Sequence, residues 1–152
     1  MPRRSRIHDT LLFIALLSSA MALGGALAHL FELPNKIALP QEEYFIVQQV
    51  YRGWDRLGWL LLVELASIVA VAVLSRRDPR LFRPLLAAAL LLLAAQAVFW
   101  TFTFPVNVAT DNWTAVPEGW ERLRARWEYS HAVGALFQLL VVASLILAAL
   151  RR

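Results

Sequence analysis

Long apolar stretches alternate with shorter polar ones along the chain. Four stretches are almost entirely apolar: 10–30, 57–74, 85–104 and 131–150. A bilayer core about 30 Å thick is crossed by a helix of roughly 20 apolar residues, so each stretch is long enough for one crossing. Glu64 is the only ionisable side chain deep inside any of them. The pattern predicts an all-α integral membrane four-helix bundle, with residues 1–152 forming one transmembrane domain.

The composition favours a membrane environment over an aqueous one. Hydrophobic residues make up 59% of the 152 residues and charged residues only 17%, whereas soluble domains carry about 25% charged residues. The sequence pI of about 10.3 is typical of nucleic-acid-binding proteins. However, the arginines lie in connections and ends and form no continuous basic stripe, so the expected partner is the lipid bilayer and not nucleic acid. Cysteine is absent, which excludes disulfides and thiolate ligands.

The basic residues also predict how the chain is oriented. If the four stretches alternate in direction, nine of the fifteen lysines and arginines fall on the side of the two termini and the middle connection. Cytoplasmic loops are enriched in these residues, so both termini are expected in the cytoplasm, as in a bacterial inner-membrane protein. One alternative stays open. The first stretch ends in an Ala-x-Ala-like site, and signal-peptide cleavage after Ala28 would make His29 the N-terminus.

The three connections differ in length and composition. The middle one, 75–84, is a short basic turn whose two prolines can stop one helix and begin the next. The other two lie on the predicted outer side, are longer, and contain amphipathic stretches typical of helices, at 40–51 and 117–130. All six tryptophans fall towards this side, as in an interfacial aromatic belt. We therefore expect the functional site near the outer face.

Each apolar stretch carries one stripe of small or polar residues at helical spacing. On the first stretch the stripe is suited to close helix contact, and it consists of Ser18, Ala22, Gly25, His29 and Glu32. At 1.5 Å per residue, Glu64, Gln96 and Gln138 each lie about 10–12 Å below the outer end of their stretch. We expect these three in one layer, where the two amides can hydrogen-bond a carboxyl group that is otherwise expensive to bury.

Two histidines are expected at similar depth near the outer end. His29 leaves the first stretch there and His131 enters the fourth. Glu32 and Glu128 each lie three residues from one of them, and Glu-x-x-His is a spacing used in di-iron bundles. No cofactor is required by the pattern, but a metal or haem held by these four residues is an alternative that the sequence leaves open. His8, beside the basic N-terminus, is expected to be solvated.

Two short motifs resemble those of a known family. Pro105-Val106-Asn107 closes the third stretch and precedes Trp113, and Trp127-Glu-Tyr-Ser-His131 opens the fourth. A P-x-N motif followed by W-x-x-x-H at these places is similar to the anthrone oxygenase-like family of small four-span membrane proteins. The four-span layout extends the resemblance over nearly the whole chain. It implies an oxidoreductase that oxygenates an activated aromatic carbon without an evident cofactor.

The resemblance and the polar stripes together imply a pocket for a lipophilic small molecule in the outer half of the bundle. His131 would act as general base, Asn107 would orient the substrate oxygen and Glu64 would relay a proton. The substrate-binding residues come from the same half: Trp100, Trp113, Trp127, Gln96, Gln138 and His29. Other interpretations stay open, namely a non-catalytic accessory subunit or small-molecule binder, a haem- or metal-binding redox protein, and assembly as a homo-oligomer.

Overall fold

The computed structural model describes residues 6–151, which are helical almost throughout. The α-helices in chain order are α1 (Arg6–Lys36), α2 (Gln41–Gln48), α3 (Leu57–Leu74), α4 (Pro79–Val98), α5 (Phe104–Ala109) and α6 (Trp120–Leu150). A π-helical turn, Phe99–Thr103, joins α4 to α5, and two short 3₁₀ helices, Gln49–Tyr51 and Trp54–Arg56, precede α3. The predicted all-α class is confirmed. Arg3, Arg4 and Arg152, which contribute to the predicted cytoplasmic charge, lie outside the described residues.

Four helical segments are long and apolar enough to cross a membrane: Arg6–Lys36, Trp54–Leu74, Pro79–Ala109 and Trp120–Leu150. Each of the helices α1, α3, α4 and α6 packs against two of the others, so the four close a ring. Their outward sides carry exposed apolar side chains, among them Phe13, Leu62, Leu90 and Leu136. Such a surface suits lipid, and the prediction of four long apolar helices is confirmed.

The two ends of the bundle are built differently. The short turn at 75–78 joins α3 to α4 at one end, called here the turn end. The longer connections, 37–56 and 110–119, lie at the opposite end, called here the loop end. The first connection contains α2, as the amphipathic pattern predicted. The second amphipathic stretch has no helix breaker before the fourth apolar stretch, so the two are expected to form one helix, and α6 does run unbroken from Trp120 through both.

Two prolines lie inside helices that the sequence predicted to end before them. α1 runs through Pro34, and the third long helix runs through Pro105. Proline has no N–H group, so Pro105 leaves the carbonyl of Thr101 without its helical donor. Arg126 donates to that oxygen at 2.5 Å, and the π-helical turn alters the backbone ladder just before the proline. The third predicted stretch is therefore too short because the carbonyl that Pro105 frees has another donor.

Towards the turn end, the interior of the bundle is apolar and closely packed. Its buried members come from all four long helices and include Leu12, Ile68, Leu85, Leu92, Val141 and Leu145. His8 also lies here, with its Nε2 atom 3.0 Å from the hydroxyl of Ser75, and it is only 8% exposed. The prediction that His8 is solvated is wrong, because α1 starts early enough to carry this side chain into the bundle.

At the loop end, aromatic residues replace the aliphatic core. Trp113, Trp120 and Trp127 are buried and form one cluster with Tyr44. The predicted interfacial belt is wrong for these three tryptophans, because the connections fold over the bundle end and cover them. Trp59, which is 75% exposed, keeps a position at the surface.

Candidate functional site

A cavity of about 990 Å³ lies between the loop-end halves of the long helices. Its walls are the first turns of α3, residues 95–107 of the third long helix, and the facing sides of α1 and α6. The small residues of α1 border this space. A Cβ atom added at Gly25 would meet its nearest neighbours, side-chain atoms of Leu57 and Trp54, at 3.7 and 3.8 Å. A methyl group at Gly25 would thus be in ordinary van der Waals contact, so the small stripe on α1 borders the cavity there, and its predicted role in close helix contact stays a prediction.

Most of the residues predicted from the sequence as site residues line this cavity. They are His29, Gln96, Trp100, Asn107, Trp113, Trp127, His131 and Gln138. Trp100 is 58% exposed, whereas Trp113 and Trp127 are buried. Glu64, predicted as catalytic, is fully buried and lies behind Gln138, outside the lining. The cavity thus brings together residues from all four long helices and both long connections.

Two imidazole rings contact each other on the cavity wall. The ring centroids of His29 and His131 are 4.2 Å apart, as their similar predicted depth suggested. The His29 ring also contacts Tyr51 at 4.5 Å, Trp54 at 5.4 Å and Trp127 at 5.1 Å between centroids. His29 is 7% exposed. Aromatic faces and edges therefore fix the orientation of His29 from three sides.

The hydrogen bonds of His131 and Asn107 determine which of their polar atoms are left for a ligand. Nδ1 of His131 lies 2.9 Å from the backbone carbonyl of Trp127. A carbonyl can only accept, so Nδ1 carries the proton and Nε2 of the neutral ring keeps its lone pair. The indole N–H of Trp127 donates to Oδ1 of Asn107 at 2.8 Å. Nδ2 of Asn107 has no partner among the described residues and remains a donor.

A second polar layer lies deeper, between the cavity and the apolar core. Oε1 of Glu64 accepts a hydrogen bond from the Ser19 hydroxyl at 2.7 Å and one from Nε2 of Gln138 at 2.6 Å. The same Gln138 nitrogen lies 3.4 Å from the backbone carbonyl of Ser19. Gln96 lines the cavity but makes no hydrogen bond to Glu64 in the described part of the chain. The layer therefore contains two of its three predicted members, and Ser19 takes the place predicted for Gln96.

A cluster of charged and phenolic groups closes the loop end above the two imidazoles. Nζ of Lys36 lies 3.1 Å from Oε1 of Glu128, and both residues are buried, at 3% and 0% exposed. Lys36 also donates to the Tyr51 hydroxyl at 2.9 Å, and that hydroxyl donates to Glu32. Nothing in the sequence pattern marks Lys36 as interior, because a lysine two residues after a proline is typical of a connection.

Tyr44 supports the buried carboxylate of this cluster. Its hydroxyl donates to Oε1 of Glu128 at 2.8 Å and accepts from the side-chain amide of Gln48. Burial, and then the neighbouring charge of Glu128, raises the pKa of the Tyr44 phenol well above its usual range. The phenol therefore acts as the hydrogen-bond donor to the Glu128 carboxylate.

The four residues that the sequence suggested as metal or haem ligands do not form one group. His29 and His131 face each other, whereas the carboxylates of Glu32 and Glu128 contact Lys36 at 3.8 and 3.1 Å. Within residues 6–151, no group of three or more histidine, aspartate or glutamate side chains is placed to hold a metal ion. Each histidine does share a helical face with its glutamate, as predicted. The ammonium group of Lys36, however, occupies the space beside the two glutamates that a metal ion would need.

A strained turn follows α5 and forms part of the cavity wall. Asp111, Asn112 and Trp113 have φ angles of 46°, 52° and 66°, a left-handed conformation that non-glycine residues rarely adopt in succession. The N–H of Trp113 donates to the Thr110 hydroxyl at 3.1 Å, and its carbonyl accepts from Gln49 at 3.0 Å. These bonds hold the turn so that the Trp113 ring packs inwards. Sequence reasoning placed Trp113 at the site without indicating this turn.

Comparison with protein-family models, curated proteins and solved structures found no match for the chain. The resemblance seen in residues 105–131 therefore stays a prediction. What supports a function is the geometry of the cavity itself.

Proposed function

We propose that this protein is a membrane oxygenase whose substrate is a lipophilic aromatic compound with an activated CH2 group, of the anthrone type. The substrate enters the cavity from the bilayer, and oxygen is the second substrate. The protein is a bacterial inner-membrane protein with both termini in the cytoplasm, so the cavity lies in the outer half of the bilayer. The proposed partners are the lipid and this small molecule.

The observation that carries the proposal is the free lone pair of His131 in a large, mostly apolar cavity. The Trp127 carbonyl fixes the Nδ1–H tautomer, which makes Nε2 the basic atom. A neutral imidazole with a free lone pair can accept a proton from a substrate carbon, which is the role of a general base. A pocket of this kind, apolar with a few oriented polar groups, is also the usual form of a small-molecule site.

The chemistry needs a base, a donor for the developing negative charge, and oxygen. Nε2 of His131 takes one proton from the CH2 carbon, and the resulting anion is delocalised into the ring carbonyl, whose oxygen accepts a hydrogen bond from Nδ2 of Asn107. The electron-rich carbon reduces oxygen and bonds to it, and the peroxide takes the proton back from His131. Loss of the second C–H proton with cleavage of the O–O bond then gives a ketone and water. The carbon loses four electrons and one O2 gains four.

The aromatic residues of the cavity hold the substrate in position for these steps. The Trp127 ring contacts His131 at a tilt of 45°, with ring centroids 4.0 Å apart, so a planar substrate placed beside the imidazole also contacts the indole. Trp113 and the exposed Trp100 lie on the same cavity. Offset and edge-on aromatic contacts contribute about 0.5–1.5 kcal/mol each beyond the buried area. Orientation of the CH2 carbon towards Nε2 follows from these contacts and from Asn107.

The test is turnover of anthrone by the purified protein in lipid nanodiscs, followed by oxygen uptake and by quinone absorbance. Empty nanodiscs give the background oxidation. We expect His131→Ala to lower kcat by about 10²–10⁴-fold, the usual contribution of a positioned base. His8→Gln is the matched control, because His8 lies at the turn end against Ser75, and it should leave kcat unchanged.

Two results would contradict this proposal. Full turnover by His131→Ala would remove the base from the mechanism. Binding of anthrone by the wild-type protein without oxygen uptake above the empty nanodiscs would instead favour the non-catalytic binder, which uses the same cavity.

A further inference from the structure

Three side chains on the cavity wall have one polar end fixed by the protein, so only the other end of each is available to a ligand. His131 uses its N–H on the Trp127 carbonyl, and Asn107 uses its carbonyl oxygen on the Trp127 indole. Gln138 is the third case, and it lies deeper. His131 and Gln138 are seven residues apart on α6, which places them on one face with an axial separation of about 10.5 Å.

The orientation of the Gln138 amide is determined by its neighbours. Its Nε2 atom lies 2.6 Å from Oε1 of Glu64 and 3.4 Å from the backbone carbonyl of Ser19. The backbone carbonyl can only accept, and Oε1 of Glu64 already accepts from the Ser19 hydroxyl. A reversed amide would place its oxygen against these acceptors, so the nitrogen is held there. The carbonyl oxygen, Oε1, is left without a partner among the described residues, while Gln138 lines the cavity.

We infer that Gln138 is a specificity residue that accepts a hydrogen bond from a hydroxyl group at the deep end of the ligand. This inference rests on the proposed function, because it needs a ligand in the same cavity. The substrate is then an elongated phenol of about three fused rings, whose hydroxyl lies near Gln138 while its reacting carbon lies near His131. Glu64 and Ser19 are positioning residues, because they act on the ligand only through the orientation of Gln138.

This arrangement discriminates between ligands that end in a hydroxyl group and ligands that end in a methyl group, because either ligand removes water from the Gln138 oxygen. A ligand that ends in a hydroxyl replaces the lost solvation of the Gln138 oxygen with a hydrogen bond. A ligand of the same shape that ends in a methyl group buries that oxygen without a donor, which is unfavourable in an apolar site. Gln96 offers an internal comparison, because it lines the same cavity but has neither end of its amide fixed by a hydrogen bond in the described structure. Its amide can turn to suit either ligand.

The test compares 2-anthrol with 2-methylanthracene, two linear tricyclic probes that carry a hydroxyl group and a methyl group, respectively, at the same carbon. Binding is measured by energy transfer from the tryptophans of the protein to the anthracene ring, in wild type and in Gln138→Met. Taking the ratio of the two dissociation constants for each probe cancels the partition of that probe into the membrane. We expect Gln138→Met to weaken binding of 2-anthrol about tenfold and to change binding of 2-methylanthracene less than twofold. Gln96→Met should change both by the same factor.

A second pair of variants tests the positioning role of Glu64. Glu64→Gln keeps an acceptor oxygen for Gln138 and should preserve the preference for 2-anthrol. Glu64→Leu removes the nearer of the two acceptors and leaves only the Ser19 carbonyl at 3.4 Å, so the amide of Gln138 can turn and the preference should fall to about twofold or less. A purely structural role of Glu64 would change both affinities together and leave their ratio intact.

The outcomes separate this inference from the proposed function. Equal effects of Gln138→Met on the two probes would overturn the hydroxyl preference while leaving the cavity as a ligand site. Absence of binding of either probe to the wild-type protein would overturn both. Selective loss of 2-anthrol in Gln138→Met, together with a kcat on anthrone that depends on His131, would support both.

Discussion

The two halves of this bundle use the same four helices in opposite ways. Towards the turn end, leucine, valine and alanine side chains fill the interior, and His8 bonded to Ser75 is a polar exception at its margin. Towards the loop end, the helices enclose about 990 Å³ of space lined by amides, imidazoles and aromatic rings. An interior that only has to be stable can be closely packed, whereas a binding site needs room and unpaired polar atoms.

The two halves also place their charges differently. The turn-end interior is bordered by a basic surface turn that includes Arg76 and Arg77, both exposed. The loop end instead buries a lysine and a glutamate as a pair, Lys36 with Glu128. Burying charge is unfavourable unless the partner and further hydrogen bonds are in place. The loop end is therefore stabilised by a few ion-pair and hydrogen-bond contacts, and the turn end by many apolar packing contacts.

The largest effect on stability is expected from breaking the buried ion pair. Glu128→Gln leaves the Lys36 ammonium buried without its main counter-charge and should lower the free energy of unfolding by about 3–5 kcal/mol. Unfolding in mixed detergent micelles measures this. Glu32→Gln is the control, because its side chain is 42% exposed and should lose less than about 1 kcal/mol. Equal losses in the two variants would mean that the loop end does not depend on this pair.

A smaller difference is expected between leucines of the two halves. Leu85→Ala, at 1% exposed in the turn-end core, should lose about 2–5 kcal/mol because it leaves a void among packed atoms. Leu60→Ala removes a side chain that already borders the cavity, so fewer contacts are lost and the expected loss is about 1 kcal/mol. The same unfolding assay compares them. A Leu60→Ala loss as large as that of Leu85→Ala would show that the cavity wall is packed as tightly as the core.

The smallest effects are expected at the glycines of α1, where substitution distinguishes space left for the cavity from close helix packing. Gly25→Ala should be neutral or stabilising by up to about 1 kcal/mol, because alanine favours the helix and the new methyl group meets no atom closer than 3.7 Å. It also narrows the cavity, so binding of the anthracene probes should weaken. Gly24→Ala is the control, because its Cβ would meet nothing within 4 Å and Gly24 does not line the cavity. Strong destabilisation by Gly25→Ala would instead support close helix packing at this position.

The turn-end half could be predicted well from the sequence, and the loop-end half only in part. Helix number and type follow from the length of the apolar stretches, which is why 57–74 coincides with α3. Helical spacing also predicted that His29 lies near His131 and that Gln138 lies near Glu64, as the structure shows. The contacts of Lys36 and Tyr44 could not be predicted, because they depend on how two connections fold back over the bundle. A pocket in this half of the bundle was expected from the resemblance and the polar stripes, but its size could not be predicted, because it depends on how far the helices separate, which hydropathy does not encode.

The positions of the polar partners along the chain determine when each buried polar group acquires its partner during synthesis. During synthesis, α1 and α3 enter the membrane before α6 exists. Until α6 inserts, Lys36 has no Glu128 and Glu64 has only Ser19, because the other partners, Glu128 and Gln138, both belong to the last helix. Insertion of that helix therefore supplies polar partners to two earlier helices at once, and it adds Trp127, His131 and Gln138 to the cavity wall in the same step. A nascent chain interrupted before α6 therefore has buried polar groups without their partners, and this alone distinguishes it from the finished protein.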